Sequence, residues 1–262
     1  MIKFTIATVC FNAARNLRRT LQSIEAQDYA SIEHLIIDGR SKDETLAQIH
    51  HYQERNSHLP SPHEVVFISE PDRGIYDAMN KALRMASGEY ILFLNAGDKL
   101  HAPSTLSEIA TLIKNGGYAP DALPAVVYGD TDIVDDDGNF LRHRRLSPPE
   151  RLTWRSFRHG MLVCHQAFFA RTDLAKEQPY NLDYRFSADF DWCIRILRTA
   201  AGLRLPNLNT RLVVADYLSE GTTTANHKAS LRERYRIMAH HYGTFSTIVQ
   251  HAWFVIRAIL KK

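Results

Sequence analysis

Residues Ser69 to Asp98 read SEPDRGIYDAMNKALRMASGEYILFLNAGD. Val65 to Ile68, just ahead, form a short apolar run, and the acidic turn Pro71-Asp72-Arg73-Gly74 closes that strand. Beyond Gly74, Ile75, Met79, Leu83 and Ala86 recur at helical spacing and mark the core-facing side of a helix. Asp77, Asn80, Lys81 and Arg84 fall on its other side, where Asp77 and Lys81 also stand four apart, as a weak surface pair would. Gly88 breaks the helix. The apolar strand Tyr90 to Leu94 follows and stops at Asn95-Ala96-Gly97-Asp98. This order is that of an open α/β sheet, whose ligands collect at the carboxyl ends of its strands. Asp72 and Asp98 both belong there.

The same stretch resembles the family 2 glycosyltransferases with the GT-A fold, and most closely a bacterial polysaccharide branch that includes colanic-acid-type enzymes. The resemblance is carried by Ser69-Glu70-Pro71-Asp72-Arg73-Gly74-Ile75-Tyr76-Asp77-Ala78-Met79-Asn80-Lys81. Leu94-Asn95-Ala96-Gly97-Asp98 stands where many relatives carry a DxD or DD pair, with Asn95 in place of the first Asp. Asp98 is therefore the one charged metal ligand expected in that motif. The resemblance implies an α/β fold with a single Rossmann-like nucleotide-binding sheet, helices on both faces and further C-terminal helices.

The rest of the chain bounds the reading. Its 262 residues suffice for one large domain with a substantial core. A net charge of +3 is too weak to argue for nucleic acid. Three scattered cysteines, Cys10, Cys164 and Cys193, point to reduced thiols and a cytoplasmic setting. No secretory leader is read before the first strand, and no stretch has the roughly 20 apolar residues of a membrane span.

Phe4 to Val9 reads as a buried strand leading through Cys10-Phe11-Asn12 into a helix marked by Leu17, Leu21 and Ile24. By resemblance, Thr8, Phe11 and Asn12 are donor-binding candidates, while Asn12 also suits a helix cap. Glu33 to Ile37 is a second strand, and Asp38 at its end is a nucleotide-contact candidate. Ser41 with Glu44 reads as a capping box. Ser104 to Lys114 is an amphipathic helix. Ala125 to Tyr128 is a strand ending at Gly129-Asp130, and Asp132 to Gly138 a hairpin turn without the spacing of a calcium loop. Arg142 to Arg145 is a basic cluster suited to a phosphate or to solvent. Leu162 to Ala170 is a strand carrying His165-Gln166, with His165 a substrate-site candidate or a core residue. Leu203 to Leu205 and Leu212 to Ala215 are short strands, and Tyr217 to Thr224 resembles a loop that closes over the donor.

Ser187 to Leu197 resembles the family's acidic helix start, which makes Asp189 the catalytic base and Asp191 a second acidic candidate. The implied activity is an inverting glycosyltransferase. It uses a nucleotide-diphosphate sugar, with a UDP-sugar favoured, and Mg²⁺ or Mn²⁺ held by Asp98. Thr8, Asp38, Asp72, Asp77, Asn80, Lys81 and Asn95 are donor-side candidates. The expected acceptor is a glycan, lipid-linked, on the cell surface. A dinucleotide oxidoreductase is excluded because no GxGxxG follows the first strand. The alternative is a non-catalytic carbohydrate-binding or scaffold protein on the same fold. Residues 1–244 are read as the transferase domain, with a nucleotide half to about 147 and an acceptor half beyond. Residues 245–262 form an amphipathic helix suited to peripheral contact with the inner face of the cytoplasmic membrane.

Overall fold

A computed structural model describes residues 1–219 and 227–259. Most of the loop read at Tyr217 to Thr224, and residues 260–262 of the stretch read as a C-terminal amphipathic helix, lie outside them. The described strands are β1 (Phe4–Cys10), β2 (Ile32–Asp38), β3 (Glu64–Ser69), β4 (Tyr90–Phe93), β5 (Lys99–Leu100), β6 (Val126–Val134), β7 (Phe140–His143), β8 (Phe168–Arg171) and β9 (Asn207–Leu218). The helices are α1 (Leu17–Glu25), α2 (Thr45–Ser57), α3 (Ile75–Met85), α4 (Thr105–Asn115), α5 (Thr172–Lys176), α6 (Ala188–Gly202), α7 (His227–Tyr242) and α8 (Thr244–Ile259).

All nine strands join one sheet in the order β3-β2-β1-β4-β8-β6-β9-β5, with β7 beside β6. β3, β2, β1 and β4 are parallel to one another. Every residue of β1 and β2 is buried, as expected for strands covered on both faces. The chain steps outward from β1 to β3, then returns to place β4 on the other side of β1. The carboxyl ends of β1 and β4 thus flank a topological switch point, where open α/β sheets bind ligands. β8 is antiparallel to both β4 and β6, so segments from before and after residue 147 share a single sheet.

The sequence reading needs four corrections. In α3 the inward stripe is Tyr76, Met79, Asn80 and Leu83, whereas Ile75 is 42% exposed. The helix opens directly after Gly74, whose φ of 115° favours glycine, and Tyr76 stacks on Tyr180 at 5.4 Å. β6 does not stop at Gly129 but runs on to Val134. A side chain at Gly129 would meet the Leu212 carbonyl oxygen at 2.5 Å, so glycine lets β9 approach there. Residues His165–Ala167 form a 3₁₀ turn, and β8 is confined to Phe168–Arg171. Leu203 to Leu205 is not a strand, and Leu212 to Ala215 is the middle of the long β9.

The core beside the switch point is aromatic. Trp192 of α6 stacks on Tyr180 at 4.9 Å and meets Phe93 and Phe168 edge-on or tilted. Such pairs each add about 0.5–1.5 kcal/mol beyond simple burial. They fix the first turn of α6 against the end of β4. Among the described residues no helix is long and apolar enough to cross a membrane. Along α8, Phe245, Ile248, Val249, Trp253 and Ile256 are exposed, and Thr247 is buried.

Candidate active site

Asp189 sits in the first turn of α6, with its side chain 15% exposed. The Tyr76 hydroxyl donates to its Oδ1 at 3.1 Å, and His165 Nδ1 lies 3.3 Å from Oδ2. The other imidazole nitrogen, Nε2, is 3.1 Å from Asn95 Nδ2. An amide NH₂ only donates, so Nε2 accepts and the proton is assigned to Nδ1, facing the carboxylate. Burial works to raise the Asp189 pKa. The hydrogen bond from His165, with the fields of His165 and Arg234, outweighs it and holds the group below the ordinary carboxylate value. Asp189 is therefore ionised and able to accept a proton at neutral pH.

Asn95 to Asp98 close the loop after β4. Thr20 of α1 pins it: its hydroxyl accepts from Gly97 N–H at 2.9 Å and donates to the Asp98 carbonyl at 2.6 Å. Asp98 is buried. Gln166 Nε2 donates to its Oδ2 at 2.8 Å, and the Leu218 N–H to its Oδ1 at 3.1 Å. Burial nevertheless raises its pKa, outweighing those hydrogen bonds and the fields of His165 and Arg19. Asn95 Oδ1 is buried without a hydrogen-bond partner. The residues present thus fit a divalent cation: one loop carries both an orphaned amide oxygen and a buried carboxylate whose oxygens keep spare lone pairs.

At the end of β1, Phe11 is 61% exposed, an unusual position for its ring. A methyl group built on Gly39 would lie 3.3 Å from that ring and 2.6 Å from Asp72 Oδ2. Phe11, Gly39 and Asp72 therefore converge on one place. It offers an aromatic face, bare backbone and a carboxylate whose Oδ1 is fixed by the Gly74 N–H at 2.8 Å. This is suitable for a heterocyclic base or ribose.

The other donor-side candidates are engaged within the protein. Thr8 is fully buried in mid-strand and bonds His34 Nε2 at 3.0 Å, part of a core network with Tyr52. Asp38 is also fully buried. It accepts from the Ser41 hydroxyl, from Ser41 N–H at 2.9 Å and from the Ser69 hydroxyl at 2.6 Å, so it shapes the loop that carries Gly39. Asn12 caps no helix: with φ of 47°, its N–H donates to Ser41 Oγ and its side chain accepts from Lys42. Asn80 points inward and exchanges two hydrogen bonds with the Tyr180 backbone. Lys81 ties Glu70 and the Pro71 carbonyl to α3. Asp77 is raised by burial but lowered more by hydrogen bonds and charge from Arg73, whose N–H it accepts at 3.0 Å. Asp191 faces away, bonded to Arg195 at 2.7 Å and His241 at 2.8 Å. Within the basic cluster, Arg144 is spent on the carbonyls of Leu146, Met161 and Leu162.

Sequence reasoning overlooked Tyr76 and the separate tasks of His165 and Gln166. Tyr76 lies inside the quoted motif, and its polar tip on an inward helix face is a signal that a partner exists. The adjacency of His165 and Gln166 matters because a tight turn sends one side chain to Asp189 and the next to Asp98.

Comparisons with known proteins bear on the family and the fold. Residues 5–177 match the model of glycosyl transferase family 2. A PGL/p-HBAD biosynthesis glycosyltransferase of Mycobacterium bovis is 35% identical over 216 residues, covering 82% of this chain and 76% of the relative. The amylovoran biosynthesis glycosyltransferase AmsB of Erwinia amylovora is 26% identical, covering 74% of this chain and 64% of that protein. Among solved structures, S. aureus TarS 1-349 with UDP-GlcNAc superposes with a TM-score of 0.64 at 17% identity, covering 97% of this chain and 72% of that one. The Pyrobaculum calidifontis mannosyltransferase PcManGT with GDP-Man and Mn²⁺ gives 0.62 at 16% identity, covering 98% and 75%. A GT-A sheet with an acidic helix start beside its switch point, matched over most of its length by family and relatives, makes this chain a member of glycosyl transferase family 2.

Proposed function

We propose that this transferase inverts the anomeric centre of a nucleotide-diphosphate sugar, with Asp189 as the general base. The observation that carries the reading is the chain Asp189–His165–Asn95, which joins an ionised carboxylate to the loop that carries both an orphaned oxygen and Asp98. The acceptor hydroxyl approaches Asp189 and gives up its proton as its oxygen attacks the anomeric carbon. The bond from that carbon to the diphosphate breaks on the opposite side, and the nucleoside diphosphate leaves. Tyr76 and His165 keep the carboxylate oriented toward the acceptor. Asn95 and Asp98 are the residues to hold Mg²⁺ or Mn²⁺, which when bound neutralises charge on the diphosphate.

The base and ribose lie against Phe11, Gly39 and Asp72, and uridine is the base we favour, as in the TarS complex. The acceptor is a lipid-linked glycan. The exposed apolar side of α8 meets the membrane surface that carries it. Release of free nucleoside diphosphate from a panel of sugar nucleotides, with and without a chelator, tests the activity. Chelator-sensitive release from a UDP-sugar supports it. Binding of sugar nucleotides or glycans without any release favours the non-catalytic alternative.

A further inference from the structure

The far edge of the sheet carries a second group of metal-ligating side chains that the transfer reaction does not use. Asp132 of β6 and Asp216 of β9 are register partners on adjacent strands, and they are 5% and 4% exposed. Like charges directly across a strand pair repel. Asp216 is offset by Lys99 Nζ at 2.9 Å and accepts from His101 Nδ1 at 2.6 Å. Asp132 has no Lys or Arg ion pair among the described residues; its partner is His143 Nδ1 at 2.7 Å, on a side chain 80% exposed. Two buried carboxylates thus share the one ammonium of Lys99, and a bound cation would add to it.

Three donors are already gathered for it. One ligand atom each from His101, Asp132 and Asp216 lies within 4.8 Å of the other two. Zn²⁺ takes imidazole nitrogen and carboxylate oxygen at about 2.0–2.2 Å in tetrahedral sites, which is the donor set gathered here. The outer contacts are also present: Lys99 on Asp216 Oδ2 and His143 on Asp132 orient the two carboxylates.

This group is separate from the Asp98 site. The Asp98 carboxylate is held by Gln166 Nε2 and the Leu218 N–H, whereas its neighbour Lys99 turns to Asp216 at 2.9 Å, so the two sets of side chains are distinct. Asp132 and the cross-strand pair Lys99–Asp216 sit at matching register positions of adjacent strands.

We propose that His101, Asp132 and Asp216 bind a zinc-class divalent cation, with water completing the shell, and that the ion staples β5 to β6 and β9. Because β5 begins immediately after Asp98, the staple also steadies the loop that serves the transfer site. The assignment does not depend on the proposed reaction.

Zn²⁺ binding by the nucleotide-free protein, measured by equilibrium dialysis, tests it. Absorption of the Co²⁺ form adds a geometric readout. Asp98→Asn separates this site from the other one. Wild type and Asp98→Asn are expected to bind the ion with four-coordinate Co²⁺ bands and a rise in Tm. His101→Gln and Asp216→Asn should weaken binding by about tenfold or more. His101 is partly exposed, so its variant decides the matter should Asp216→Asn fail to fold. Undiminished binding by His101→Gln, or loss of the ion in Asp98→Asn alone, would overturn the assignment, as would a wild type that takes up no Zn²⁺.

Discussion

His165 Nδ1 lies 3.3 Å from Asp189 Oδ2, while the other nitrogen of the same ring meets the Asn95 amide at 3.1 Å. One imidazole therefore spans from the proposed base to the loop after β4. The next residue, Gln166, holds Asp98 in the same way. A two-residue segment sets the spacing between the acceptor side and the diphosphate side of the site.

His165→Ala should lower kcat by ~10–100-fold, the scale of losing an orienting partner, with little change in donor KM. It should also move the acid limb of the kcat profile upward. His165 helps to depress the Asp189 pKa, so its removal lets the base protonate at higher pH. A pH–rate profile unchanged from wild type would leave His165 a packing residue.

Asp98 carries a raised pKa because it is buried as an anion. A raised carboxylate contributes most stability below its unfolded pKa, and that contribution is lost as pH rises through the folded one. Asp98→Asn should therefore match or exceed the wild-type Tm at neutral pH without metal, yet lose turnover by about 100-fold. A clear fall in Tm together with intact, metal-stimulated activity would contradict both halves.

Asp191 is lowered below its ordinary pKa: burial opposes, but the hydrogen bond from His241 and the charge and hydrogen bond of Arg195 prevail. The sign is the reverse of Asp98. Its stabilisation is present above the unfolded carboxylate pKa of about 3.9 and is lost as pH falls through the folded value. Asp191→Asn should cost about 1–3 kcal/mol at neutral pH and flatten the loss of stability in acid. Urea denaturation at neutral and acid pH reads this directly.

Phe11→Ala removes the exposed ring beside Asp72. Base–aromatic stacking is worth about 1–3 kcal/mol, so donor KM should rise by roughly tenfold or more while kcat changes little. An unchanged donor KM would place the base elsewhere.

Removal of residues from Phe245 onward deletes α8, whose first aromatic is 82% exposed. The truncated protein should bind anionic vesicles more weakly than the full chain. Equal vesicle binding by a folded truncation would show that α8 serves another purpose.

Part of the local structure could be read in the sequence because local motifs dictate local geometry: the acidic start of α6 that carries Asp189 and Asp191, and the loop from Asn95 to Asp98 after the abrupt end of an apolar strand. Asp72 stands beyond a strand end as read, while Phe11 and the role of Asp189 entered through the family resemblance. Thr8, Asp38 and Asn80 have structural partners that the sequence reading did not anticipate: His34 for Thr8, Ser69 together with the nearby Ser41 for Asp38, and Tyr180 for Asn80. His34, Ser69 and Tyr180 are distant in the chain. No spacing rule reports such a partner. Tyr76 was missed because apolar periodicity favoured its neighbour Ile75, and the stack on Tyr180 that turns the helix is likewise a long-range contact.

The central claim is that Asp189, and not Asp191, takes the proton. Both lie in the first turn of α6, two residues apart and on different faces. The measurement is kcat at saturating donor for Asp189→Asn and Asp191→Asn side by side. The account predicts a loss of ~100-fold or more for Asp189→Asn, with donor affinity nearly unchanged, and a far smaller loss for folded Asp191→Asn. An active Asp189→Asn beside an inactive, folded Asp191→Asn would contradict it.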